Sequence, residues 1–255
     1  MSMNSIITVK QSHPYYPSRL LDLPDAPQEI YCLGNLEALK IPSLGIVGSR
    51  QASKEGMTTA SYFANAVVDR GLLVISGLAE GIDSAAHLGA LQARSLLSTI
   101  AVCGTSLDQC YPSKNKPLFK AIAQQSLLIS EYPPGSVTKP YFFKQRNRLI
   151  AALSLGILVV EAAVRSGSMT TAKYANDLGR EVFAILGSIH STHSRGCHAL
   201  IRQAAKLVES AQDVWDELRA PGLWGGGLAQ PRSPALSAAT GVEDVQGSAE
   251  LANDA

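Results

Sequence analysis

The sequence has no pair of cysteines at C-x-x-C spacing. Its four cysteines, Cys32, Cys103, Cys110 and Cys197, are scattered, which argues against a zinc ribbon and a disulfide-stapled secreted scaffold. No apolar run approaches the roughly 20 residues that cross a bilayer. The start MSMNSIITVKQSHPYYPSR has no apolar stretch of signal-peptide type. Strong charge of either sign is also missing: 22 Lys and Arg stand against 21 Asp and Glu, a net +1. No global field draws in nucleic acid, so any anion site must be local. G-x-G-x-x-G and G-x-x-x-x-G-K-[ST] are both lacking, so neither an ordinary dinucleotide site nor a P-loop is indicated. These absences predict a cytoplasmic protein with no membrane span, metal or cofactor. The 255 residues, 46% hydrophobic, suffice for one or two domains with a full core.

What is present is an alternation. Short apolar runs recur from residue 44: SLGIVGS, GLLVIS, STIAVCG, SLLISEY, GILVVEA and REVFAILG. Their near-continuous Val, Ile and Leu content fits strands covered on both faces. Between them lie KEGMTTASYFANAVVDRG, AEGIDSAAHLGALQAR, KPLFKAIAQQ, QRNRLIAALSLG and MTTAKYANDLG, read as helices, several closing on glycine. This order predicts an α/β, Rossmann-like domain over residues 44–218, with a mostly parallel sheet and helices on both faces. Residues 1–43, rich in proline, read as an irregular packing segment with a short strand near EIYCLG. Residues 219–255 are rich in Gly, Ala, Pro and Ser. With little to bury, they predict a largely disordered tail in which only Trp224 is suited to dock.

Ligands of open α/β sheets sit beyond the carboxyl ends of the strands. Four turns there carry glycine and hydroxyl groups: Gly48-Ser49-Arg50, SGLAEGID from Ser76, Gly104-Thr105-Ser106, and RSGSMTTA with Ser168, Thr170 and Thr171. Helix capping alone asks for such residues, but four on one sheet edge point to an anion. The stretch KPYFFKQRNR adds Tyr141, Phe142 and Phe143 among Lys139, Lys144, Arg146 and Arg148. Basic side chains along phosphates, with rings that stack on bases, are the parts that hold single-stranded nucleic acid. Pro133, Pro134 and Gly135 predict a loop that enters a helix at QRNRLIAAL. At least one ring is expected to anchor this loop. At most one of Arg146 and Arg148 is expected to be a structural ion-pair partner. HSTHSRGCH, His190 to His198, matches no standard zinc spacing. Asp83 and His87, four apart, predict a helix-stabilising contact rather than a catalytic dyad.

GIVGSR, SGLAEGIDSAAH, TIAVCGTSLDQCYP, SEYPPG, QRNRLIAALSLGILVVEA, RSGSMTTAKYA, GREVFAILGS and SRGCHALIRQAAKLVESAQDV follow one another in this order. Over about residues 15–218 the chain closely resembles the DNA-processing protein A family, also called Smf. The resemblance implies an extended Rossmann fold and no enzyme activity. It implies binding of single-stranded DNA in natural transformation, protection of incoming DNA, help in loading the RecA recombinase, and a homodimer. It implies a DNA pocket at Ser49, Arg50, Gly104, Lys139, Phe142 and Phe143. The residues themselves add Lys144, Arg146, Asn147 and Ser168. The dimer surface is expected near residues 195–218. The sequence departs from the family where Lys144 follows Phe143 in place of proline, where the third turn reads Cys103-Gly104, and where the tail replaces a winged-helix-like domain. The alternative is a nucleotide-binding sensor or nucleoside-monophosphate hydrolase of the same superfamily, with Glu161 and SGSMTTA at its site. Its PGGxGTxxE motif is absent.

Overall fold

The computed structural model describes residues 5–219. The expected tail, Trp224 included, lies outside the described residues apart from Arg219. In chain order the elements are β1 (Ile7–Lys10), β2 (Glu29–Gly34), β3 (Ser43–Val47), α1 (Lys54–Val68), β4 (Leu73–Ser76), α2 (Ile82–Leu91) and β5 (Thr99–Cys103). Then come α3 (Lys116–Gln125), β6 (Leu127–Ser130), α4 (Phe142–Gln145), α5 (Asn147–Leu153), β7 (Gly156–Val159), α6 (Gly167–Asp177), β8 (Glu181–Ile185), α7 (Arg195–Arg202), β9 (Lys206–Val208) and α8 (Ala211–Leu218).

All the strands join one sheet in the order β1-β2-β6-β5-β4-β3-β7-β8-β9. From β6 to β9 every pairing is parallel, while β2 runs antiparallel to both β1 and β6. The chain leaves β3 toward β4 on one side and reaches β7 on the other. The strand order therefore reverses between β3 and β7, which opens a crevice beyond their carboxyl ends. This is a Rossmann-like sheet extended at one edge by β6, β2 and β1.

Side chains alternate across the sheet with the period of two that a strand imposes. Leu73, Ile75, Ile157, Val159, Val182 and Ala184 face one side, where α5, α6 and α7 contribute Ile150, Ala172 and Leu200. Leu44, Ile46, Val74, Leu158 and Phe183 face the other, against Phe63 and Val67 of α1, Ala86 of α2 and Trp215 of α8. Burying each such side chain is worth about 1.5–3 kcal/mol, so both faces are sealed by core and function is left to the strand ends.

The expected contact between Asp83 and His87 is corrected. The Thr99 hydroxyl donates to Val74 O (2.8 Å), so it accepts from Nδ1–H of the His87 ring (2.7 Å). Nε2 of His87 is buried without a partner. The ring is thus neutral, and burial, with the Arg146 charge, takes its pKa down from 6.5 to about 3. A lowered folded-state pKa means that the unfolded chain binds the proton first. The contribution of His87 to stability is full above about pH 6.5 and is lost as pH falls toward about 3. Denaturant melts are expected to show a His87-linked loss of about 2 kcal/mol between pH 7 and 5, absent in His87→Asn.

Candidate functional site

The turn after β3 is shaped from below. Ser49 N donates to Glu161 O (2.7 Å), and Ile82 N donates to Ser49 O (3.1 Å). One residue thus ties the ends of β3, β7 and α2 together at the crevice. Glu161 has a second task. Its carboxylate accepts from Ser53 N (2.9 Å) and Ser53 Oγ (2.6 Å), while Ser53 Oγ accepts from Gly56 N (2.9 Å). The amino end of α1 is thereby closed by a hydroxyl cap and an anion, as its dipole favours. Arg50, next in the turn, stands exposed with no hydrogen-bond or ion-pair partner among the described residues.

A cleft of about 800 Å³ lies above this turn. Ser49, Arg50, Phe143, Lys144, Arg146, Asn147 and Ser168, seven of the sequence candidates, line it. The ring of Phe143 forms part of the wall and meets Tyr111 at 4.9 Å between centroids, tilted by 45°. Lys144 is exposed at the rim.

The other candidates lie elsewhere. Gly104 is buried beneath Phe143: a Cβ there would come within 2.6 Å of Phe143 Cδ1. Its bare backbone seats the ring. Phe142 stacks on Tyr132 at 3.7 Å and 10°, and meets Tyr141 edge-on at 4.8 Å. It is the ring that anchors the segment. Lys139 projects from the exposed stretch between Thr138 and Pro140, its Nζ 5.9 Å from the Tyr141 ring centre. The expected loop is also shorter than the sequence implied. Gln145 N bonds Tyr141 O (3.0 Å) and Arg146 N bonds Phe142 O (2.9 Å), so the aromatic stretch itself turns helical.

Both arginines of the motif are built into the fold, and, as expected of at most one, only Arg148 is an ion-pair partner among the described residues. Arg148 pairs with Asp25 (3.1 Å) and with Glu131. Burial pushes the Glu131 carboxyl up, and Arg148 offsets part of that rise. Arg146, only 4% exposed, donates through Nη1 to Gly77 O (2.6 Å) and to Val102 O. Burial pulls its pKa down, and the Asp83 charge holds it up. Burial in turn raises Asp83, against Arg146 and the amides of Gly77 (3.1 Å) and Ala79 (3.4 Å). A cation and a carboxylate are thus fixed in the cleft floor, and Arg146 cannot swing out to the surface.

The residues of HSTHSRGCH diverge. Cys197 Sγ turns to the carbonyls of Val159 and Val160, and the His198 ring to Gly187 O (2.9 Å). Among the described residues no group of three or more His, Cys, Asp or Glu converges on a metal position, and no helix is long and apolar enough to cross a membrane.

The family model for DNA recombination-mediator protein A matches residues 6–219. The chain belongs to that family. It is 46% identical over 202 residues to DNA processing protein DprA of Streptococcus pneumoniae, covering 79% of this chain and 71% of that one. It is 41% identical over 206 residues to protein Smf of Escherichia coli, covering 80% of this chain and 54% of that one. It thus spans about half the length of the E. coli and Synechocystis Smf proteins. The solved pneumococcal structure superposes with a TM-score of 0.79 at 44% identity, covering 84% of this chain and 75% of that one. DNA processing protein A of Helicobacter pylori, described for its single-stranded DNA binding mode, superposes at 0.75 and 28% identity, covering 84% of this chain and 96% of that one.

Within this family fold, sequence reasoning missed Tyr111, Tyr132 and Ser53. Tyr111 stands in the TSLDQCYP stretch, and an aromatic just past a strand turn was its only signal. Tyr132 and Ser53 earn their roles from partners distant in sequence, Phe142 and Glu161.

Proposed function

We propose that the chain is a DNA processing protein that holds single-stranded DNA in the cleft between β3 and β7. One observation carries this reading: two exposed cations without partners among the described residues, Arg50 and Lys144, line one cleft with the Phe143 ring. The cations suit phosphates, and the ring suits a base face. Lys139, beside the cleft, extends the same basic track. Sequence preference is expected to be weak, because phosphate and stacking contacts read little sequence. The H. pylori relative supports the reading, since it is a family member described for this binding mode.

Protection of an incoming strand, transfer to a RecA-type recombinase, a cytoplasmic location and a homodimer near residues 195–218 belong to the same proposal. Leu207, exposed on the edge strand β9, is suited to such an interface. We assign no catalytic step. The nucleotide-hydrolase alternative needs a free carboxylate at Glu161, whereas both its oxygens accept from Ser53.

Salt dependence tests the proposal. With two or three phosphates neutralised, affinity for poly-dT should fall with a log–log slope of about −1.4 to −2.1. A flat profile would favour an apolar protein interface over a strand.

A further inference from the structure

We propose that a recess opening off this cleft holds one nucleobase of the bound strand and prefers guanine. The proposal rests on the reading of the cleft as a strand site and deepens it. Phosphate and stacking contacts leave the sequence of a strand unread. A recess that meets the edge of a base is where one position is read.

The recess has a volume of about 270 Å³, and Arg50, Gln51, Glu80, Tyr111, Pro112 and Phe143 are among its walls. Whole ligands take pockets of about 300–1,000 Å³, so this space suits a single base. The rings of Tyr111 and Phe143, 4.9 Å apart and tilted by 45°, make an open corner rather than a closed stack. Tyr111 is 55% exposed, which leaves ring surface for the face of a base. Arg50 belongs to both the cleft and the recess, so a phosphate held at the rim places its own nucleoside beside that corner.

The polar groups of the recess decide which base it takes. Most are already committed. The amides of Gly77 and Ala79 donate to Asp83, Gly77 O accepts from Arg146, and Ala79 O accepts from the Ser84 hydroxyl (2.6 Å). Glu80 keeps an oxygen free. Lys114 Nζ donates to its Oε2 (3.0 Å), and no group among the described residues donates to Oε1. The Gln51 side chain also has no partner among the described residues; only its backbone amide is used, on Ser49 Oγ. A carboxylate repels a phosphate and accepts from N–H groups on a base edge. Guanine presents two such donors side by side, N1–H and the 2-amino group. Cytosine and adenine each set one amino group beside a ring nitrogen that repels the carboxylate. Thymine sets N3–H between two carbonyls that repel it. Guanine therefore ranks first and thymine last, and the Gln51 amide is a donor suited to guanine O6.

The test uses the full chain and labelled short poly-dT strands that carry dT, dG, dC, dA or deoxyinosine at one central position. Deoxyinosine keeps N1–H and lacks the 2-amino group. At one salt concentration the dG strand should bind about fivefold more tightly than the all-dT strand, with the deoxyinosine strand between them. In Glu80→Ala the ratio of dG to dT affinity should fall toward one. Glu80→Gln keeps the shape and one neutral acceptor, so its ratio should lie between. Both variants should melt with the wild type, because the Glu80 side chain is 43% exposed and its ion pair with Lys114 is a surface one. Equal affinity for all the strands overturns the slot and leaves strand binding standing. A dG advantage that survives Glu80→Ala overturns the assignment to Glu80. If no strand binds, the strand reading fails and the slot falls with it.

Discussion

Replacing Arg146 by alanine should cost about 3–5 kcal/mol of folding stability, far more than the loss of an exposed arginine. The guanidinium is buried and bonds the carbonyl of Gly77, just past β4, and that of Val102, near the end of β5. Its removal leaves those acceptors unpaired and takes away the positive charge that helps to offset the burial of Asp83. Arg146→Lys keeps the charge and loses the fork, so it should fall between the two. Adding Asp83→Asn to the alanine variant should recover part of the loss, because the buried negative charge then disappears. Urea melts at neutral pH read all four proteins. A loss below about 1 kcal/mol for Arg146→Ala would contradict the role given to it in the floor.

Gly81→Ala should be the second severe change, at about 2–4 kcal/mol. Gly81 precedes α2 with φ +75° and ψ −125°, a region that residues with a Cβ avoid. A Cβ there would also lie 2.2 Å from Ser49 O and 2.8 Å from Arg50 O, both backbone atoms that cannot rotate away. The turn that presents Arg50 must therefore shift, and strand affinity should fall together with stability. Gly135→Ala is the control. Its φ is also positive, +81°, but nothing lies within 4 Å of the added carbon. It should cost only the conformational penalty of about 1 kcal/mol and leave affinity unchanged. Equal effects of the two substitutions would mean that the approach of Gly81 to the Ser49 carbonyl is not what shapes the turn.

The six runs read as strands are strands because a parallel strand buried on both faces must be nearly continuous Val, Ile and Leu, and few other segments are. That pattern also fixed where the ligand edge lies, since each turn follows its strand in sequence. β1 escaped notice because only Val9 of its four residues is buried, so ITVK carries no apolar run. In the site, Ser49, Arg50, Phe143 and Ser168 were legible as types: a hydroxyl, a fork, a ring and a helix start. The division of labour was not. Phe142 and Phe143 are adjacent and identical, and only the positions of Tyr132 and Tyr111 make one an anchor and the other a wall. Arg146 reads as one more cation until the carbonyls of Gly77 and Val102, distant in sequence, are found around it. Glu161 reads as a free acid until Ser53 is found at its oxygens. Residue type follows from local chemistry, whereas partnership follows from the crossovers that bring the ends of β3, β4, β5 and β7 together.

Arg50, the exposed cation of the first turn, is proposed to hold a strand in the cleft. Fluorescence anisotropy with labelled poly-dT, for the wild type and Arg50→Ala at low and high salt, tests it most directly. Arg50 has no hydrogen-bond or ion-pair partner among the described residues, so the variant should melt within about 0.5 kcal/mol of the wild type. The expected result is wild-type binding that weakens with salt, and a variant bound at least about tenfold more weakly with a shallower salt slope. A folded wild type that does not bind, or a variant that binds as tightly as the wild type at both salt concentrations, would contradict it.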